Sequence, residues 1–122
     1  MIPLRWRAHC ALFTGLACLC AHALAHPALQ TSNPSPGALL DAPPKEIVLT
    51  FNEKLEPAFS SVKVVDSRGR DVASSKGQVD PAAASRLQLI LPDLGAGTYT
   101  VRWTAVGHDA HPRKGDYIFT VK

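Results

Sequence analysis

Apolar side chains recur at every second position in four stretches of this chain, and no helical period runs through residues 26–122. Within Glu46–Glu53 the repeating set is Ile47, Leu49 and Phe51. Within Arg86–Leu91 it is Leu87, Leu89 and Leu91, and within Thr98–Val106 it is Tyr99, Val101, Trp103 and Ala105. Tyr117, Phe119 and Val121 repeat the pattern near the C-terminus. Successive side chains on a strand point to opposite faces, so this period buries one face and wets the other. Phe59–Val65 reads as a further strand that alternates less cleanly. Turn residues separate the stretches: Asn33-Pro34-Ser35-Pro36-Gly37, Pro43-Pro44, Ser67-Arg68-Gly69-Arg70, Gly95-Ala96-Gly97 and His111-Pro112. Many short strands with turns between them predict an all-β, antiparallel Greek-key β-sandwich or barrel of Ig-like or cupredoxin-like type. Ala82–Ser85 is the one place where a helical turn is expected.

The N-terminus follows a different logic. Arg5 and Arg7 precede a run of twelve uncharged residues, Cys10–Ala21. Ala23-Leu24-Ala25 then sets small residues at the −3 and −1 positions of a leader-peptidase site. This is the three-part pattern of a secretory signal, and the run is shorter than the ~20 apolar residues of a membrane anchor. The expected organisation is a cleaved signal at 1–25 and one domain at 26–122, with His26 as the new first residue. Cleavage after Ala23 competes, because Ala21-His22-Ala23 has the same small-x-small form.

Separating the leader changes the composition that matters. All three cysteines (Cys10, Cys18 and Cys20) and the single methionine, Met1, lie within residues 1–25. Residues 26–122 therefore offer no disulfide, thiolate metal site, iron–sulfur cluster or cysteine nucleophile. They carry eleven basic and ten acidic side chains, so the formal charge of +3 belongs mostly to the leader. A basic surface for nucleic acid is not expected. Ninety-seven residues suit one small domain.

Three histidines remain after residue 25: His26, His108 and His111. Glu53 and Glu56 read as solvated charges at a strand end. Gly107-His108-Asp109-Ala110-His111-Pro112 lies between two strands. On extended backbone Asp109 and His111 share one face, with His108 and Ala110 on the other. Alone, an Asp-x-His loop is weak evidence for a metal site. His26 strengthens it, because a first-residue histidine offers both an amine and an imidazole nitrogen to one ion. Nitrogen and oxygen donors suit Cu(II), with zinc the natural competitor. Cu(I) prefers sulfur, which is absent here. Trp103, Tyr99 and Phe119 read as core packing.

These residues carry a resemblance. The chain resembles the CopC family of periplasmic copper-resistance proteins through His26-Pro27-Ala28-Leu29, then Ser32, Pro34 and Gly37. The likeness continues through Ile47-Val48-Leu49-Thr50-Phe51-Asn52-Glu53 and Phe59-Ser60-Ser61-Val62. It ends with Gly97-Thr98-Tyr99-Thr100-Val101-Arg102-Trp103, Asp109-Ala110-His111-Pro112, Gly115 and Phe119. The resemblance implies a periplasmic, non-enzymatic copper carrier or buffer, a monomer holding one Cu(II) ion. Its ligands would be His26 (amine and imidazole), His111 and Asp109. A CopD-like inner-membrane copper transporter is the partner expected of the family. Two departures stand out. A serine common two residues before the family aspartate is Gly107, followed by His108, an extra ligand, a support for the ligands, or neither. The methionine-rich segment some members use for Cu(I) is missing. Thr50 and Glu53 are candidates to support the ligands.

Two other classes compete. A histidine-brace copper oxidase or monooxygenase would need an open coordination position and a substrate face. A metal-free Ig-like interaction module would need neither, and fold alone permits it.

Overall fold

The computed structural model describes residues 26–122. The expected leader and both candidate cleavage sites lie outside the described residues. Among the described residues eight strands form two four-stranded sheets packed face to face. The strands are β1 (Leu29–Asn33), β2 (Leu39–Leu40), β3 (Glu46–Phe51), β4 (Ser61–Val65), β5 (Gln78–Asp80), β6 (Ala83–Ile90), β7 (Gly97–Val106) and β8 (Pro112–Val121). One sheet runs β1-β3-β6-β5 and the other β2-β8-β7-β4. Most connections switch sheets, as in a Greek-key sandwich, and only β5–β6 and β7–β8 are simple hairpins. The pairings are antiparallel except for the short β2, which runs parallel to β8.

The alternation sets the core. Ile47, Leu49, Phe51, Leu87 and Leu89 project from one sheet, and Val62, Val64, Tyr99, Val101, Phe119 and Val121 from the other, all buried. Cross-strand partners Tyr99 and Phe119 stack with ring centroids 5.4 Å apart. Phe51 meets Trp103 edge-on across the two layers at 5.1 Å. Both geometries are favoured by aromatic quadrupoles. Trp103 itself is half-buried, its indole lying over Gly115, its partner on β8. A Cβ at residue 115 would run into that ring, so the indole position requires glycine there.

The expected helical turn at Ala82–Ser85 does not form. Ala83–Ser85 instead open β6, and Asp80 Oδ1 accepts the Ala82 N–H at 2.9 Å to close the β5–β6 hairpin. Pairing with β3 and β5 overrides the helical propensity of the two alanines, which is a weak force beside tertiary pairing.

One hairpin positions the residues of interest. β7 and β8 stay paired in unbroken register from Gly97↔Val121 to Val106↔Pro112. The loop 107–111 therefore projects from the end of the longest ladder in the fold.

Candidate metal centre

The N-terminal segment is fixed before β1 begins. Pro27 is fully buried. Ala28 donates its N–H to Asn52 Oδ1 at 2.8 Å, and Asn52 returns its own N–H to the Ala28 carbonyl at 3.1 Å. This two-point clamp ties the start of the described chain to the end of β3 and leaves His26 beside the β7–β8 loop.

That loop is a tight turn and not the extended segment anticipated from the Asp-x-His spacing. Ala110 donates its N–H to the Gly107 carbonyl at 3.2 Å, and Ala110 has φ 62°, in the left-handed region. Asp109 Oδ1 accepts the His111 N–H at 3.2 Å, an Asx turn. The turn still brings Asp109 and His111 to one side, by a different route from strand alternation.

Asp109 divides its two oxygens. Oδ1 serves the backbone, while Oδ2 lies 3.0 Å from His26 Nδ1 and 3.9 Å from His111 Nδ1. The two imidazole centroids are 5.7 Å apart and tilted by 35°. One donor atom from each of His26, Asp109 and His111 lies within 4.8 Å of the others, a spacing a single ion can bridge. The side chains are 29% (His26), 23% (Asp109) and 74% (His111) exposed, so the cluster sits at a rim with one open flank.

Among the described residues His26 Nδ1 is buried and has no hydrogen-bond partner, although Asp109 Oδ2 is only 3.0 Å away. The contact is close but lacks hydrogen-bond geometry. A buried imidazole nitrogen left in this state costs free energy unless something else satisfies it. A metal ion bound to the same nitrogen and carboxylate would do so. The residues present therefore fit a cation with nitrogen and oxygen ligands.

Glu53 is not the solvated charge anticipated. It is half-buried, and its Oε1 is enclosed without a hydrogen-bond partner. The carboxylate occupies the space a side chain at residue 107 would take, with Pro27 Cδ close by. Gly107 is thus where the N-terminal segment, the end of β3 and the loop meet, which accounts for glycine where a serine was expected. Only the Phe51-Asn52-Glu53 motif could have flagged this residue, and its burial depends on a contact 54 positions along the chain. Glu56 and His108 are exposed, and neither joins the cluster. Thr50 is half-buried on β3, paired with Thr31 and Arg86.

The model of the CopC domain matches residues 29–122, a span that includes Asp109 and His111 and begins three residues after His26. Copper resistance protein C of Escherichia coli is 39% identical over 107 residues, 82% of this chain and 84% of that protein. Copper resistance protein C of Xanthomonas campestris pv. juglandis is 36% identical over 108 residues, 84% of each chain. The crystal structure of CopC from Methylosinus trichosporium OB3b superposes with a TM-score of 0.73 at 33% identity, covering 80% of this chain and 94% of that one. That of PcoC, a methionine-rich copper resistance protein from Escherichia coli, gives 0.67 at 38% identity, covering 80% and 100%.

Proposed function

Because the chain belongs to the CopC family, we propose that it is a copper-binding resistance protein of the periplasm that holds one Cu(II) ion through His26, His111 and Asp109. The observation that carries this reading is the convergence of three donor atoms around a buried, unsatisfied imidazole nitrogen. Cleavage after Ala25 would add the free amine of His26 to the set. Three nitrogens and one oxygen then match the tetragonal preference of Cu(II), the divalent ion that such donors bind most tightly.

The role is that of a carrier or buffer, with no catalytic step. Residues 26–122 contain neither cysteine nor methionine, whereas PcoC is described as methionine rich. Soft sulfur ligands for Cu(I) are missing, so reduction should release the ion. A monomer is the expected state, and a CopD-like transporter in the inner membrane is the expected recipient.

The test compares the secreted protein, its first residue established by mass, with the same chain carrying one glycine before His26. An added residue at the periphery leaves the sandwich intact. It converts the His26 amine to an amide and breaks the chelate ring. Competition with a copper chelator should show affinity lower by orders of magnitude, with a changed Cu(II) electron paramagnetic resonance spectrum. A Leu24-Ala25-His26 terminus, from cleavage after Ala23, would bind Cu(II) through its own backbone and ignore His111. Binding indifferent both to the glycine and to His111→Ala would sink the proposed ligand set.

A further inference from the structure

The solvent face of the β4–β7–β8 layer bears a charge arrangement that the metal cluster does not use. Lys63 on β4 stands directly opposite Arg102 on β7, and Lys114 on β8 stands opposite Thr104 in the adjacent row. Like charges facing each other across neighbouring strands are destabilising. All three cations are exposed, and none is in an ion pair among the described residues. Asp116 is opposite Arg102, and among the described residues no salt bridge joins the two. Together these side chains line a groove of about 470 Å³. Where a fold keeps a local conflict of this kind, a binding partner is the natural source of compensation.

A second groove of about 380 Å³ shares Thr104 and Lys114 with the first and is otherwise apolar. Phe59, Val106, Ala110 and Pro112 form its walls. Phe59 is 69% exposed, held there by a turn in which its N–H bonds the Glu56 carbonyl at 3.1 Å. Ala110 and Pro112 are the residues on either side of His111, so this groove opens at the loop of the metal cluster. The two grooves make one track, apolar beside the cluster and lined beyond it by three cations against one acid, Asp116.

We infer that this track docks an extended acidic segment of another protein. One apolar side chain of the segment enters between Phe59 and Pro112, and its carboxylates lie along Lys114, Arg102 and Lys63. Charge complementarity selects an acidic partner, and the concave apolar end selects a protruding side chain. A lipid surface would call for a convex apolar face, which this single aromatic wall does not provide. The docked partner would stand next to His111, the most exposed member of the cluster. A role for the track in copper exchange rests on the copper reading, while the docking itself does not.

The probe is a capped eight-residue peptide with one phenylalanine followed by glutamates. It is titrated into the metal-free secreted protein at low salt, with amide shifts followed by NMR. Shifts should cluster at Phe59, Thr104, Ala110 and Lys114. Arg102→Glu should weaken binding roughly tenfold, the effect of a reversed charge pair of about 1.4 kcal/mol. Phe59→Ser, and phenylalanine to alanine in the peptide, should each weaken it by a similar factor. These positions are exposed, and circular dichroism checks that each variant folds. Binding that ignores both apolar changes would reduce the track to unspecific charge attraction and overturn the proposal. So would no binding at all, or capture by phosphatidylglycerol vesicles in place of the peptide. Because the titration uses no metal, a failed copper measurement leaves its result standing, and the reverse also holds.

Discussion

Asp109 Oδ2 lies 3.0 Å from His26 Nδ1 without a hydrogen bond between them, although the two are 83 positions apart along the chain. The same carboxylate bonds the His111 backbone through its other oxygen. Asp109 therefore both shapes the loop and faces the two imidazoles.

Substituting Asp109 separates those tasks. Asp109→Asn keeps an oxygen for the His111 N–H, whereas Asp109→Ala loses it. Asn should weaken Cu(II) binding modestly, because oxygen is the weaker donor for copper, and Ala should weaken it further as the turn loosens. His26→Ala and His111→Ala should each cost several kcal/mol by chelator competition. Wild-type affinity in His111→Ala would remove that residue from the site.

The Asn52–Ala28 clamp predicts an effect at a distance. Asn52→Ala leaves the Ala28 N–H to water, at a cost of about 0.5–1.5 kcal/mol in thermal or urea unfolding. Cu(II) affinity should fall alongside, since His26 then has more conformations to lose on binding. Asn52→Asp retains the acceptor and should restore affinity. If affinity is unchanged in Asn52→Ala, the clamp does not position His26.

Gly107 and Glu53 should be energetically coupled. Gly107→Ala forces the Glu53 carboxylate from its place, at a cost of about 1–3 kcal/mol. Glu53→Ala opens the space, so the double variant should be more stable than the sum of the two single losses predicts. Strict additivity in a denaturation cycle would show that the two side chains do not compete.

Tyr117 gives the fold an alkaline limit. Burial pushes its phenol up to about 12, and the Ser32 hydroxyl, approaching without making a full hydrogen bond, pulls weakly the other way. The unfolded chain loses this proton near pH 10, below the folded protein. Stability from this group is complete below about pH 10 and is lost as pH rises towards 12. Tyr117→Phe should flatten the decline measured by denaturant unfolding. An equally steep decline in the variant would assign it to other groups.

The sandwich was legible because its central strands bury one face. Ile47, Leu49, Phe51, Leu87, Leu89 and Phe119 all read correctly from period two. Strands β1, β2 and β5 were not, for a physical reason. They are short edge strands, and Leu29-Gln30-Thr31-Ser32-Asn33 has only its first and fourth residues partly buried, so no alternation is imprinted. His26, Asp109 and His111 were visible as residue types, but their meeting depends on a left-handed Ala110 that spacing does not announce. Glu53 was misread because its burial arises from Gly107, on a loop of the other sheet.

The strand order also sets a timetable. β7 and β8 are chain neighbours joined by a five-residue loop, whereas β1 reaches β3 only after a cross-sheet excursion through β2. Closing short loops is the faster step in folding, so Asp109 and His111 come together well before His26 arrives. Pulsed hydrogen exchange during refolding should find the Val101 and Phe119 amides protected ahead of Ala28, and simultaneous protection would refute this order. Two of the three cluster residues are then early products of the chain and the third a late one, so a cation meeting the unfinished protein finds two of its donors and no third.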